Sequence, residues 1–243
     1  MVKRIVCAGV AVAALLVFCG KDSGTGPDDG SNSVTALFER DTAAIRAILV
    51  ANNLGHITVD SRIRWRDDTT YTRTRVTRLH LTPGTLGGSR ISILPADIRV
   101  LTGLQELRLD SNQLGMLPAE IGELTNLVTL LARSNQISTL PPQVGNLRSL
   151  TTLKVDRNNL AALPAEMGNL LVLNNFTLAH NRLTAFPDQA AGMSSLSVLD
   201  FSGNRVCTTP TAAVIAWFET IEFLAGIDWT ASGWHNDVGQ ICD

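Results

Sequence analysis

Aromatic side chains are scarce in this chain. They make up 5% of its 243 residues, against 45% that are hydrophobic. A core with few large rings has to be assembled from many equivalent aliphatic side chains. Charge of one sign is missing too: the formal net charge of −2 gives no overall attraction to nucleic acid. No segment is apolar for long enough to span a bilayer. The longest such run, Ile5 to Phe18, has 14 residues, where a spanning helix needs roughly 20. Catalytic and metal-binding patterns are also absent. His56, His80, His180 and His235 are scattered, with no H-E-x-x-H pair and no other ligand spacing. There is no G-x-S-x-G elbow. Gly24 and Gly26 lack the following Lys-Ser/Thr of a phosphate loop. Asp28-Asp29-Gly30 lacks the alternating ligands and distal Glu of a calcium loop. These gaps point to a protein that binds rather than an enzyme, with no metal and no cofactor.

What is present starts with an export signal. Lys3 and Arg4 precede the apolar run, and the polar tract Gly20 to Asn32 follows it. A short apolar run with a positive start fits a signal peptide over residues 1–18. The tract cannot bury a core, so residues 19–33 read as a flexible tether. Cys19, between signal and tether, resembles the lipidation site of bacterial lipoproteins. That resemblance implies a membrane anchor through Cys19. Phe18 stands where the pattern has a small residue, and simple secretion is the alternative. Beyond Cys19 only Cys207 and Cys242 remain. In an exported chain such a pair points to a disulfide. It would close 35 residues of sequence separation and stabilise by about 3 kcal/mol.

The organising feature is a repeat of 23 residues. Leu104, Leu127, Leu150, Leu173 and Leu196 open five units. Leu107, Leu130, Leu153, Phe176 and Leu199 come three residues later, then Leu109, Ala132, Val155, Leu178 and Phe201. Asn112, Asn135, Asn158, Asn181 and Asn204 follow without a miss. Leu117-Pro118, Leu140-Pro141, Leu163-Pro164 and Phe186-Pro187 come next, with Thr209-Pro210 in the fifth unit. The alternation Leu107-Arg108-Leu109 has period two and predicts a short strand with its leucines on one face. Ile121 and Leu124, three apart after Pro118, predict a short helical turn against the same core. No unit can bury its leucines alone, so the units must stack. An amide both donates and accepts, so each Asn can satisfy backbone groups of its own turn and of the adjacent one.

The pattern L-x-x-L-x-L-x-x-N-x-L followed by x-x-L-P-x-x-I-G-x-L resembles the leucine-rich repeat family. It covers Val76 to about Pro210. The resemblance implies an α/β solenoid with a parallel β-sheet on its concave side. A degenerate first unit begins at Val76, with Gly84 in place of Asn. Six strands at about 4.8 Å make a sheet ~25–30 Å wide.

Caps are expected at both ends. Residues 34–78 read as an N-terminal helix and hairpin cap, residues 79–206 as the repeats, and residues 207–243 as a C-terminal helical cap. Val34, Leu37, Phe38, Ile45, Ile48 and Leu49 form one helical stripe, with Ser33 as N-cap and Asn52-Asn53-Leu54-Gly55 as a stop. Ile57 to Arg78 reads as an extended hairpin carrying Arg62, Arg64, Arg66, Arg73, Arg75 and Arg78, either a solvated face or an anion-binding patch. Thr209-Pro210 predicts a helix start, with Val214 to Leu224 sealing the last repeat.

The residues flanking each buried pair must face outward on the concave side. One column is Arg78, Glu106, Thr129, Thr152, Asn175 and Val198; the central one is His80, Arg108, Leu131, Lys154, Thr177 and Asp200. The third holds Thr82, Asp110, Arg133, Asp156, Ala179 and Ser202, and a fourth Ser111, Ser134, Arg157, His180 and Gly203. Leu131 ringed by Arg108, Arg133, Lys154 and Arg157 is the candidate partner-binding centre. The competing reading is that these bases pair with Glu106, Asp110 and Asp156. A protein ligand is the leading partner. A carbohydrate or envelope ligand is the alternative, although the columns hold no aromatic row.

Overall fold

The structure, a computed structural model, describes residues 16–21, 34–55, 74–206, 209–225, 227–230 and 233–236. Each full repeat contributes a strand of three residues. These are β3 (Glu106–Arg108), β4 (Thr129–Leu131), β5 (Thr152–Lys154), β6 (Asn175–Thr177) and β7 (Val198–Asp200). Only the middle residue of each turns inward, so Leu107, Leu130, Leu153, Phe176 and Leu199 are fully buried. All five strands run parallel and in register at 23-residue spacing. The degenerate unit supplies β2 (Thr74–His80), parallel to β3.

Two strands lie beyond the six expected. β1 (Leu16–Lys21) pairs antiparallel with β2, and in that pairing Cys19 stands opposite Val76. At the far edge β8 (Phe223–Ala225) adds a seventh parallel strand. The sheet therefore has eight strands in the order β1 to β8.

Each repeat but the last returns through a five-residue 3-10 helix entered from a proline, as in Pro118 before Ala119–Glu123 and Pro164 before Ala165–Asn169. Proline fixes an extended entry, and its missing N–H is no loss at a helix start. Ile98, Ile121, Val144, Met167 and Ala190 turn inward from these helices. The helices stack closely. A Cβ added at Gly145 would fall 2.3 Å from the Glu166 carbonyl oxygen of the next repeat. At Gly168 it would fall 2.0 Å from that of Gln189. Glycine is required there by the approach of one backbone to another.

The asparagines link neighbouring turns as their chemistry predicts. Asn158 Oδ1 accepts from the Ile137 N–H at 3.0 Å, while its Nδ2 donates to the Ala132 carbonyl at 2.9 Å and its own repeat's Val155 carbonyl at 3.0 Å. Asn112, Asn135, Asn181 and Asn204 repeat the scheme.

The N-terminal cap is the helix α1 (Val34–Ala51), which buries Ala44, Ile45, Ile48 and Leu49. Its predicted stop holds: Asn53 takes a left-handed φ of 58° and the Leu54 N–H reaches back to the Leu49 carbonyl. Asn52 fastens this end to the first repeat, accepting from the Ser92 and Ile93 N–H groups. The buried Asp41 accepts from the Val76 N–H at 2.9 Å. Most of the predicted arginine hairpin, including Arg62, Arg64, Arg66 and Arg73, lies outside the described residues.

The C-terminal cap differs from the expectation of one helix through Leu224. The helix α2 spans only Ala212–Phe218. Thr220 Oγ1 donates to the Trp217 carbonyl just past its end, and the chain then turns into β8. The reason is tertiary. β7 would otherwise present an open edge, and β8 satisfies it, as in the Phe201 N–H to Ala225 carbonyl bond of 2.9 Å. α2 closes the apolar end through Phe186, Phe201, Trp217 and Phe218, whose ring centroids lie 4.9–6.4 Å apart. Beyond β8, β9 (Ile227–Thr230) and β10 (Gly233–Asn236) form an antiparallel pair with Trp229 opposite Trp234. Cys207 and Cys242 lie outside the described residues.

Candidate functional site

The strand register turns the concave columns into rows of physical neighbours. Arg78, Glu106, Thr129, Thr152, Asn175 and Val198 pair in sequence, as do His80, Arg108, Leu131, Lys154, Thr177 and Asp200. β8 extends both rows, with Phe223 beside Val198 and Ala225 beside Asp200. Phe223 is 57% exposed and puts one aromatic side chain into columns that the sequence reads as having none. The fourth column is a row of left-handed turns: Ser111, Ser134, Arg157, His180 and Gly203 have φ between 53° and 67°.

Charge on this surface is partly spent within the protein. Glu106 is faced by Arg108, by Arg78 at 3.4 Å and by the His80 ring at 3.2 Å. Burial, and next the Arg108 charge, hold the His80 imidazole below its usual range, against the pull of Glu106. At Glu106 burial pushes upward, but Arg108, His80 and Arg78 together outweigh it and the carboxyl sits below its usual range. One repeat further on, Arg133 Nε contacts Asp156 Oδ2 at 3.0 Å. Asp156 also accepts from Thr177 Oγ1 and the Ala179 N–H. The bases that the sequence placed around Leu131 therefore divide. Arg108 and Arg133 are matched by carboxylates; Lys154 and Arg157 have none within 4 Å among the described residues.

A hollow of about 370 Å³ opens on the same face, displaced from Leu131 toward the C-terminal repeats. The buried Ala179 is one of its lining residues. It is the smallest residue in a column otherwise filled by Thr82, Asp110, Arg133, Asp156 and Ser202, so the surface dips there. The Arg133–Asp156 pair, Thr177, Asp200 and Ser202 also line it, with Thr177 and Asp200 neighbours in the register. Arg157 and His180 line its strand-end rim. The His180 ring lies over Gly203, where an added Cβ would come 2.5 Å from Nδ1.

Of the five predicted residues, Arg133 and Arg157 line this hollow, while Arg108, half-buried Leu131 and Lys154 lie on the adjoining strands. Asp200, His180 and Ala179 stand in the outward columns of the sequence but outside its candidate binding centre. The available signal was Ala179, the smallest residue in its column. Among the described residues no group of His, Cys, Asp and Glu is arranged to hold a metal ion, and no helix is long and apolar enough to cross a membrane.

Comparison with known proteins agrees with this geometry. Residues 148–206 match the family model described as leucine rich repeat. The ectodomain of the receptor kinase SOBIR1 from Arabidopsis thaliana is 28% identical, with a TM-score of 0.56, over 71% of this chain and 97% of that one. A Leptospira interrogans LRR protein is 26% identical over 62% of this chain and 48% of its own, with a TM-score of 0.46. The plant peptide hormone receptor RGFR1 in complex with RGF2 is 29% identical over 54% of this chain, with a TM-score of 0.47. The chain spans only 22% of that receptor. The comparison with curated proteins found no match.

Proposed function

We propose that this chain, a leucine-rich repeat protein, is an extracytoplasmic binding module that holds a protein partner on its concave sheet. The observation that carries the reading is an unmet positive charge beside an apolar one. Lys154 and Arg157 carry charges that no carboxylate of the described chain answers, and Lys154 is directly beside half-buried Leu131 in the register. The strands beneath them are held by core side chains and by the asparagine bonds, so little ordering cost is added on docking. Leu131 loses water when covered, while the two cations steer and orient acidic groups of the partner. Arg108, already engaged with Glu106, contributes less to this than its exposure suggests. The protein works by holding its partner, not by catalysis. The likeness to a receptor ectodomain, the apolar start of the chain and Cys19 support a place outside the cytoplasm.

The test begins with capture of a partner from envelope extract. Binding is then compared for Leu131→Asp, Lys154→Glu and the control Glu120→Lys, which lies on a return helix away from the sheet. Both concave changes are expected to weaken binding, Leu131→Asp by about 2 kcal/mol or more. Binding that survives both and falls with Glu120→Lys puts the site on another face. Competition by envelope carbohydrate, with no captured protein, favours a carbohydrate ligand instead.

A further inference from the structure

The hollow beside Ala179 carries more information than the sheet around it. Its formal charges balance, with Arg133 and Arg157 against Asp156 and Asp200. They do not balance locally. Asp156 is closed: Oδ1 accepts from the Ala179 N–H at 3.1 Å, and Oδ2 from Thr177 Oγ1 at 2.7 Å and Arg133 Nε at 3.0 Å. That pair is wall. Asp200 is half open. Its Oδ1 accepts from both the N–H and the hydroxyl of Ser202, at 3.1 and 2.7 Å, whereas Oδ2 accepts from no described residue. The two bonds fix the carboxylate through Oδ1 and leave Oδ2 available to a ligand. Arg157 has its backbone anchored, N–H to the Ala179 carbonyl at 2.8 Å, and its guanidinium unpaired among the described residues. Asp200 and Arg157 line one cavity without meeting each other.

We infer that this hollow is a two-charge subsite, taking a basic side chain of the bound segment on Asp200 and an acidic one on Arg157. The inference rests on the reading that a protein segment lies along the concave sheet. A segment with one sign of charge would satisfy one group and strip water from the other without replacing its partner, a net cost. A segment with Lys or Arg within a few residues of Asp or Glu answers both. His180 adds a flat wall, its ring set over Gly203 and neither ring nitrogen engaged by a described residue. The hollow is open to the sheet and continuous with Lys154 through Thr177, its neighbour in the register, which favours an extended peptide over a small enclosed ligand.

A selection of random heptapeptides with blocked termini, displayed against the whole folded chain, tests this. The expected product is peptides carrying an acidic and a basic residue within about three positions of each other. The selected peptide and its copy with norleucine for the basic residue are then titrated by fluorescence anisotropy. The wild type is expected to prefer the basic form about tenfold, which is 1.4 kcal/mol. Asp200→Asn keeps the Oδ1 acceptor for Ser202 and removes the charge, so the protein stays folded and the preference disappears. Arg157→Asn, tolerated in a left-handed turn, is expected to remove the matching preference for the acidic residue. Peptides of one sign only, or a preference unchanged by Asp200→Asn, overturn the two-charge subsite. If those peptides still depend on Leu131 and Lys154, the concave binding reading stands without it. If no peptide is enriched, or binding depends on none of the four residues, both fall.

Discussion

At the scale of the residue, the asparagines show how one side chain replaces a length of regular structure. The buried Asn158 accepts a bond from the preceding repeat's Ile137 N–H and donates to three carbonyls, those of Ala132, Val155 and Asp156. Asn158→Ala is expected to cost roughly 1–3 kcal/mol, because those backbone groups stay buried without partners. Chemical denaturation of the variant measures it, and an unchanged midpoint would contradict the role. A second residue-scale effect concerns acid. His80 and Glu106 both have lowered pKa values in the fold. The unfolded chain therefore takes up their protons first, so stability rises with pH through both ranges. The His80 contribution is complete above its ordinary value of 6.5 and is lost as pH falls below it. Glu106 adds a further loss as pH falls below its ordinary 4.5. A melting-temperature profile of His80→Gln should lack the first decline; an identical profile would assign that decline elsewhere.

At the scale of the element, the caps decide where the stack ends. A repeat offers its inner face to the next one, so the last repeat leaves Phe186 and Phe201 uncovered unless something else packs there. α2 supplies Trp217 and Phe218, with Phe218 at 5.8 Å from Phe201 and 5.5 Å from Phe186. Phe218 is almost fully buried, and Trp217 Nε1 also reaches the Met193 carbonyl at 3.3 Å. Phe218→Ala is expected to lower stability by about 3–5 kcal/mol. Loss should be local first, so that amide exchange rises in residues 209–225 before it rises around β3 and β4. Uniform exchange along the whole stack would mean the cap is not a separable unit.

At the scale of the whole molecule, the chain is nearly one-dimensional. Each return helix packs on its neighbours in sequence and each strand pairs with the next, so stability passes from repeat to repeat. That geometry sets how the binding face is presented. Export with lipidation at Cys19, which the resemblance to lipoproteins implies, would begin the mature chain within β1. Leu16, Val17 and Phe18 would leave their places opposite His80, Leu79 and Arg78. A chain lipidated at Cys19 is expected to partition with membranes, and Cys19→Ser to release it or to leave the precursor unprocessed. Mass spectrometry that finds an unmodified terminus beyond residue 19 rules the anchor out.

The period of 23, the buried leucines, the asparagine bonds and the outward columns were legible in the sequence, because each depends on spacing along the chain alone. A side chain at a fixed place in one repeat must lie beside its equivalent in the next, so alignment of the repeats amounts to a map of the surface. What the tertiary structure decided is whatever depends on contact between unlike residues or on an edge. Phe223–Ala225 reads as the tail of a helix by its apolar spacing, yet it becomes a strand, because the open edge of β7 offers hydrogen bonds that a longer α2 could not use. Arg108 and Arg133 look as free as Lys154 and Arg157 in the columns. Only side-chain geometry shows the first two engaged by Glu106 and Asp156. The hollow follows from the same cause: Ala179 carries less side chain than Asp156 and Ser202 beside it, and a depression exists only relative to its neighbours.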